Sequence, residues 1–171
     1  MIGIRALLAA AVLGLVLSGC AGSSGVQSGQ MAATAPMLSV ERFLHAANGQ
    51  DLEAMARIFG TRSGPMQEEQ GNPVSCGFRR LGSWIGLSAR CMRREQIELR
   101  MNAIAMILRH DDFEILSESR VPGRRHPTIR IGVTLVQGER RYPDVPFLVV
   151  ESSQGRWLVE EIGLERITTG R

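Results

Sequence analysis

The sequence predicts an α+β fold in which helices come first and an antiparallel sheet follows. Apolar residues recur at helical spacing between residues 36 and 110, and they alternate with period two between residues 113 and 162. Helices grouped ahead of hairpin-connected strands are typical of α+β domains. The chain has 171 residues, of which 44% are hydrophobic and 22% charged, so it is expected to form one globular domain.

Two short amphipathic helices are predicted first. Pro36 suits the first turn of a helix, and Gly49 is expected to end that helix in a left-handed conformation. Asp51 is expected to cap the second helix, which Gly60 stops. The apolar residues at helical spacing are Val40, Phe43, Leu44 and Ala47 in the first helix, and Leu52, Met55, Ala56 and Phe59 in the second.

The longest helix is predicted between Arg90 and His110, a stretch without Gly or Pro, and it is expected at the centre of the core. The segment before it, residues 61–86, is broken by Gly and Pro and is expected to hold a short strand at 78–81 and a buried Trp84-Ile85. One apolar face of the long helix comprises Ile97, Met101, Ile104, Ala105 and Leu108, and Met106 and Ile107 are expected to widen it.

Four strands are predicted after this helix, at residues 113–120, 129–137, 142–150 and 156–162. Pro143 and Pro146 indicate an edge or a bulge in the first half of the third strand, because proline cannot donate to a ladder. In the fourth strand, Trp157 and Val159 are expected on one face, with Leu158 and Ile162 on the other.

This order of elements resembles that of the nuclear transport factor 2-like superfamily. Residues 40–55, VERFLHAANGQDLEAM, look like its opening helix pair, and residues 155–162, GRWLVEEI, are similar to its closing strand. The resemblance covers residues 37–169 and implies a cone, in which a bent antiparallel sheet surrounds a long helix and a pocket opens at the wide end. It brings no catalytic motif, and residues 61–91 are longer than the usual segment.

The first residues read as a secretory leader. Met1 to Arg5 is a short, positively charged start, and Ala6 to Leu17 is an apolar run of twelve residues broken only by Gly14. As a helix this run covers about 18 Å, which is too short for a hydrocarbon core of about 30 Å. A signal peptide is therefore predicted rather than a membrane-spanning helix.

Leu17-Ser18-Gly19-Cys20 resembles the lipobox of bacterial lipoproteins. The resemblance implies cleavage before Cys20 and attachment of lipid to that cysteine, so the membrane is one expected partner, reached through the lipid anchor. Ordinary secretory cleavage is the alternative. The residue after the cysteine is Ala21, whereas an Asp at this position would resemble an inner-membrane retention signal. The expected location is therefore the outer membrane, with the domain facing the periplasm.

The chain then divides into three parts: residues 1–19 as the signal peptide, 20–36 as the lipidated cysteine and a Gly- and Ser-rich tether, and 37–171 as the folded domain. Sixteen flexible residues give an end-to-end distance of about 20–24 Å, enough to hold a domain clear of lipid headgroups.

Charge and composition give little evidence of a charged partner. All 20 basic residues are arginine, which indicates a coding bias, and removal of the leader leaves 19 basic against 17 acidic residues. Aromatic residues make up only 5%, so no nucleic-acid partner is expected. The pairs Arg124-Arg125 and Arg140-Arg141 lie at turns on either side of one strand pair and could meet across its ends. There they could hold anionic lipid headgroups or the carboxylates of a partner, although a solvated rim is the simpler interpretation.

Cys76 and Cys91 are predicted to form a disulfide, since two cysteines outside the cytoplasm are expected to oxidise. The bridge closes a loop of about fifteen residues and contributes roughly 3 kcal/mol in the chain-entropy model. A metal site is the alternative, but no CxxC spacing or neighbouring histidine supports it, so no metal is expected.

Four residues are candidates for the pocket or its rim: His110, Asp112, Tyr142 and Trp157. The run His110-Asp111-Asp112 could form an acid/base cluster. It could equally be the last turn of a helix followed by a solvated turn.

The predicted function is non-catalytic binding by the cone domain of a cell-envelope lipoprotein. The ligand would be a small apolar molecule in the cone or an envelope protein on the outer face of the sheet. The alternative is an isomerase- or hydrolase-like enzyme that uses polar residues in the pocket, and a cone filled by Met101, Ile104, Ile131 and Trp157 would argue against it. No nucleotide-binding, GxSxG or HExxH motif is present, which excludes those enzyme families but not enzymes in general. No catalytic residue and no cofactor are assigned, and the oligomeric state stays open.

Overall fold

The computed structural model describes residues 35–69 and 92–169, in which helices pack against an antiparallel sheet. The predicted α+β class is confirmed. The helices are α1 (Pro36–Asn48), α2 (Leu52–Ile58), α3 (Arg94–Leu108) and α4 (Glu165–Thr168). The strands are β1 (Gly60–Thr61), β2 (Gly64–Pro65), β3 (Asp112–Arg120), β4 (Thr128–Gln137), β5 (Arg140–Glu151) and β6 (Trp157–Ile162), and a 3₁₀ turn spans Met66–Glu69.

The helix pair forms as predicted, with one difference at the connection. The Asp51 side chain accepts a hydrogen bond of 2.9 Å from the Ala54 backbone N–H and so caps α2. Gly49, however, has a right-handed φ of −75°, and Gln50 has the left-handed φ of +53°. The Gly49 N–H still donates to the His45 carbonyl at 3.0 Å, so the helical path runs through Gly49 and the reversal falls one residue later.

The predicted apolar face of α3 is buried along its whole length, but Met106 does not widen it. Met106 is 58% exposed, because it lies two residues before Leu108 and thus about 160° around the helix from it. The helix nearest the sheet is α1, which lies along β4, β5 and β6, and α3 packs on α1 and α2. The buried side chains of α3 belong to the same core cluster as those of the sheet.

The main sheet has four antiparallel strands in the order β3-β4-β5-β6, as the sequence predicts. Each neighbouring pair of strands contains one register shift. Such bulges bend a strand and increase its twist. In the β3–β4 pair the shift leaves Leu116 outside the ladder and 51% exposed.

The prolines of β5 mark both an edge and a bulge, which confirms that prediction. Among the described strands, β6 pairs with β5 only from Phe147 onwards, so the first half of β5 has β4 as its single neighbour. Within that half, Tyr142 is opposite Leu135 while Val145 is opposite Val133, so two residues of β5 face one of β4.

A bulge in β6 overturns the predicted pairing of faces in that strand. Val159 lies opposite Val149, and Ile162 lies opposite Phe147, which shares a face with Val149. Val159 and Ile162 therefore face the same way, and Leu158 faces the other way. The extra residue is Glu160, and strict alternation along the sequence does not reveal it.

Several predictions concern residues outside 35–69 and 92–169. These are the leader, Cys20, nearly all of the tether, the short strand at 78–81, Trp84-Ile85, and Cys76 with Cys91.

Candidate functional site

His110 lies where α3 leads into β3, and its surroundings hold it in a structural role. Its side chain is buried, and its Nδ1 lies 2.8 Å from the Leu108 carbonyl oxygen, so Nδ1 carries the proton that it donates there. The ring packs edge-on against Phe113, with ring centres 5.3 Å apart, and His45 packs on the same Phe113 at 5.5 Å.

The Asn48 side chain at the end of α1 fixes the backbone of His110. Its Oδ1 accepts from the His110 N–H at 3.0 Å, and its Nδ2 donates to the His110 carbonyl at 2.9 Å. One amide thus satisfies both backbone groups of a buried residue 62 positions away, which ties α1 to the start of the sheet.

The three side chains of the run His110-Asp111-Asp112 do not converge. Asp111 Oδ2 accepts from the Gly138 N–H at 2.6 Å, and Asp112 Oδ1 accepts from the Phe113 N–H at 2.9 Å. Both aspartates are exposed. Asp111 therefore ties the start of β3 to the turn between β4 and β5, Asp112 bonds the backbone next to it, and neither carboxylate bonds the histidine ring.

Tyr142 and Trp157 lie at opposite ends of the sheet. Tyr142 is opposite Leu135, and Trp157 is opposite Glu151, nine residues further along β5. That separation is about 30 Å along the strand. Tyr142 is 7% exposed and belongs to the core, whereas Trp157 is half-buried at its margin. His110, Asp112 and Tyr142 share one end of the sheet, and Trp157 does not join them.

The inner face of the sheet packs into a cluster of apolar side chains. Met101, Ile104 and Ile131 are buried in one cluster, and Trp157 packs against it. No Asp or Glu among the residues that the structure describes is buried. The carboxylate base that an isomerase-like site requires is therefore not found in the described part of the interior.

A cleft with a volume of about 370 Å³ lies between α2 and the start of α3. Its lining is mostly polar: Gln50, Asp51, Leu52, Glu53, Ala56, Gln67, Arg94, Ile97 and Glu98. None of the four candidate residues lines it. The sequence shows each of these residues but not the packing of α2 on α3 that brings them together.

Two of the carboxylates that line this cleft are paired with arginine. Arg57, beside the cleft, bonds Glu53 and donates from Nε to Gln67 at 2.8 Å. Arg94 donates from Nε to Glu98 at 2.7 Å, and the hydrogen bond and charge of Glu98 raise the pKa of Arg94 above its ordinary value. The cleft thus offers hydrogen-bonding groups to a polar partner, with Glu53 and Glu98 engaged by arginine and Asp51 accepting from the Ala54 N–H.

The two arginine pairs do not meet. Arg124-Arg125 lies in the turn before β4 and Arg140-Arg141 begins β5 after it, so the ten residues of β4, about 30 Å, separate them. Arg124 contacts Glu160 at 3.3 Å, and Arg141 contacts Glu114 at 3.1 Å. Arg124 and Arg141 therefore each have an acidic partner of their own.

Two apolar side chains on the outer side of α3 are exposed. Leu99 is 72% and Met106 58% exposed, and both lie opposite the buried face of the helix. Large apolar groups in water cost free energy and often mark an interaction surface. The sequence predictions missed this stripe because they assigned Met106 to the core.

Within residues 35–69 and 92–169, no three His, Cys, Asp or Glu side chains lie close enough together to hold a metal ion. None of the helices in the described part of the chain is both long enough and apolar enough to cross a membrane.

Comparison of the chain with protein-family models, with curated proteins and with solved structures found no match.

Proposed function

We propose that this protein is a lipid-anchored binding domain of the bacterial cell envelope that recognises another protein and does not catalyse a reaction. The observation that carries the proposal is the core beside the sheet, which is filled by apolar side chains such as Met101, Ile104 and Ile131 and in which no described Asp or Glu is buried. A surface, rather than a pocket, is then the place for function.

The anchor is supported by the sequence at the start of the chain. A charged start, a twelve-residue apolar run and the lipobox-like Leu17-Ser18-Gly19-Cys20 stand in the order that lipoprotein processing requires. Several acyl chains at Cys20 would give stable attachment, since each buried CH₂ contributes about 0.8 kcal/mol. Ala21 favours the outer membrane, with the domain in the periplasm.

The nuclear transport factor 2-like fold is part of the proposal. Its support is the order of elements: a helix pair, two short strands, a long helix and a four-stranded antiparallel sheet. A parallel bridge between Phe59 and Val159 joins the end of the helix pair to the closing strand. The fold alone does not determine the function, which depends on the residues at its surface.

A protein partner fits the described surface better than a small apolar ligand. Two clefts in the described part of the chain are mostly polar. The large exposed apolar side chains lie on helix and strand surfaces: Met37 on α1, Leu99 and Met106 on α3, and Leu116 on β3. Exposed aliphatic groups on a flat surface suit a protein interface. The isomerase- or hydrolase-like alternative has no carboxylate in the described interior to support it.

Two experiments test the proposal. Cys20→Ala should abolish incorporation of labelled palmitate and leave an uncleaved precursor, while Ser24→Ala should be labelled normally. Normal labelling of Cys20→Ala would refute the anchor.

Chemical crosslinking in living cells tests the binding function. The wild-type chain should form discrete crosslinked species that Leu99→Glu or Leu116→Glu weakens, while Arg100→Ala, an exposed polar change, leaves them intact. Identical crosslinking in all four proteins, or none in any, would contradict a binding surface on the described faces.

A further inference from the structure

The long helix α3 is apolar on two opposite sides. Its inner side comprises Ile97, Met101, Ile104, Ala105 and Leu108, all buried. On the outer side, Leu99, Ala103 and Met106 follow at spacings of four and three residues and are all exposed. At about 100° per residue these three side chains fall within an arc of about 60°. They form the outer stripe.

The outer stripe is symmetric about its middle. Ala103 lies near the centre, with the larger Leu99 and Met106 on either side. A small residue between two large ones allows the backbone of a second helix to approach closely there. If that helix runs antiparallel, each Leu99 meets the Met106 of the other copy. The stripe is therefore complementary to itself.

The charges beside the stripe fit the same arrangement. Glu95 and Arg109 are both exposed, lie on the same flank of the stripe, and stand at its two ends. A two-fold axis through the centre of the stripe brings Glu95 of one copy to the level of Arg109 of the other. The same axis repeats this pair at the other end of the contact. Neither residue forms an ion pair within the described part of its own chain.

We propose that the outer stripe docks on a second copy of this chain, as an antiparallel α3–α3 contact flanked by two Glu95–Arg109 ion pairs. This inference deepens the proposed binding function, since it names a partner for the exposed face of α3. It does not depend on the anchor at Cys20.

The contact is small, which sets the expected affinity. Stable interfaces use about 20–30 residues on each side, and the stripe with its flanking charges supplies far fewer. The dimer is then weak in dilute solution. Two domains on short tethers in one membrane would be held at a much higher effective concentration, so such a contact would be populated there.

Sedimentation equilibrium of the mature chain carrying Cys20→Ser tests the contact without the anchor. The wild-type surface should show a monomer–dimer equilibrium at high protein concentration. Leu99→Glu should raise the dissociation constant at least about tenfold, because it places two charges in an apolar contact. Arg100→Ala, on the side of α3, should leave the dissociation constant unchanged within about twofold. A chain that stays monomeric up to millimolar concentration would overturn the proposal.

A charge exchange gives the sharpest test. Glu95→Arg alone and Arg109→Glu alone should each weaken the dimer. In either variant, residues 95 and 109 carry the same charge, so like charges meet at both ends of the contact. An equimolar mixture of the two variants should dimerise again, since each copy then faces an opposite charge at both ends. Both changes are exposed, so folding should be preserved, which circular dichroism checks.

A mixture that associates no better than either variant would show that α3 does not meet a second α3. Palmitate labelling reports on the anchor separately, so failure of this inference and failure of the proposed anchoring are distinguished.

Discussion

Arg130 and Asp144 form an ion pair across the outer face of the sheet, directly over Gly132. The Arg130 Nη2 lies 2.8 Å from Oδ1 and 2.7 Å from Oδ2 of Asp144, in the bulged part of β5. A Cβ atom on Gly132 would stand 2.5 Å from Asp144 Oδ1 and 2.6 Å from the Ser117 hydroxyl. The pair therefore depends on the missing side chain beneath it.

Gly132→Ala should lower the free energy of unfolding by about 1–2 kcal/mol, because the added methyl displaces Asp144 and Ser117. On an Asp144→Gly background, Gly132→Ala should lower the free energy of unfolding by less, since the Asp144 carboxylate oxygen closest to the added methyl is absent. Urea unfolding of the four proteins gives the coupling energy. Equal penalties on both backgrounds would show that the ion pair does not depend on Gly132.

Asn48→Ala should destabilise the domain by about 1–3 kcal/mol, because it leaves the backbone N–H and carbonyl of the buried His110 without their partner. Asn102→Ala, on the partly exposed side of α3, is the matched control and should change stability by about 0.5 kcal/mol or less. Urea midpoints compare the two. A similarly small effect of both substitutions would show that the hydrogen bonds from Asn48 to His110 contribute little to stability.

Gln50→Gly should stabilise the domain by about 0.5–1 kcal/mol, since Gln50 has a φ of +53° that glycine adopts without strain. Gly49→Ala should be close to neutral, because Gly49 has a right-handed φ and its added Cβ would lie 3.5 Å from the nearest atom. Thermal unfolding of both variants decides which residue carries the reversal. A loss of stability on Gln50→Gly, or no gain, would show that Gln50 does not carry the strain of the reversal.

Ile104→Ala should cost about 2–5 kcal/mol, because it opens a cavity in the cluster that α3 shares with the sheet. Arg100→Ala, at an exposed position one turn away, should cost about 0.5 kcal/mol or less. Denaturant midpoints separate the two outcomes. Equal midpoints would mean that the buried face of α3 is assigned incorrectly.

Cys76 and Cys91 are predicted to be joined by a disulfide. Mass spectrometry of the mature chain under non-reducing conditions should show two hydrogens fewer than after reduction. Two free thiols, titrated in unfolded protein kept from reductant, would contradict the prediction.

The sequence was sufficient for elements whose cause is local. The repeat of Ile97, Met101 and Leu108 predicts the buried face of α3, and Asp51 predicts the start of α2, because helical spacing and capping act over a few residues. The four strands follow from alternation in the same way.

Features that depend on distant partners could not be predicted. The bulges at Leu116 and Glu160 arise from the register between strands, and they change which face the following residues occupy. Asn48 reaches His110 across 62 residues, and the cleft between α2 and α3 exists only once those helices pack. For the candidate site, the sequence supplied residue types, whereas their separation along the sheet came from strand pairing.

The prolines in the first half of β5 have a consequence for colloidal behaviour. Exposed strand edges invite pairing with other chains, and hence aggregation. Pro143 and Pro146 have no N–H to offer such a strand, and in β3 the bulge at Leu116 interrupts the other outer edge of the described sheet. At high local concentration, the domain would thus resist aggregation through edge-to-edge strand pairing.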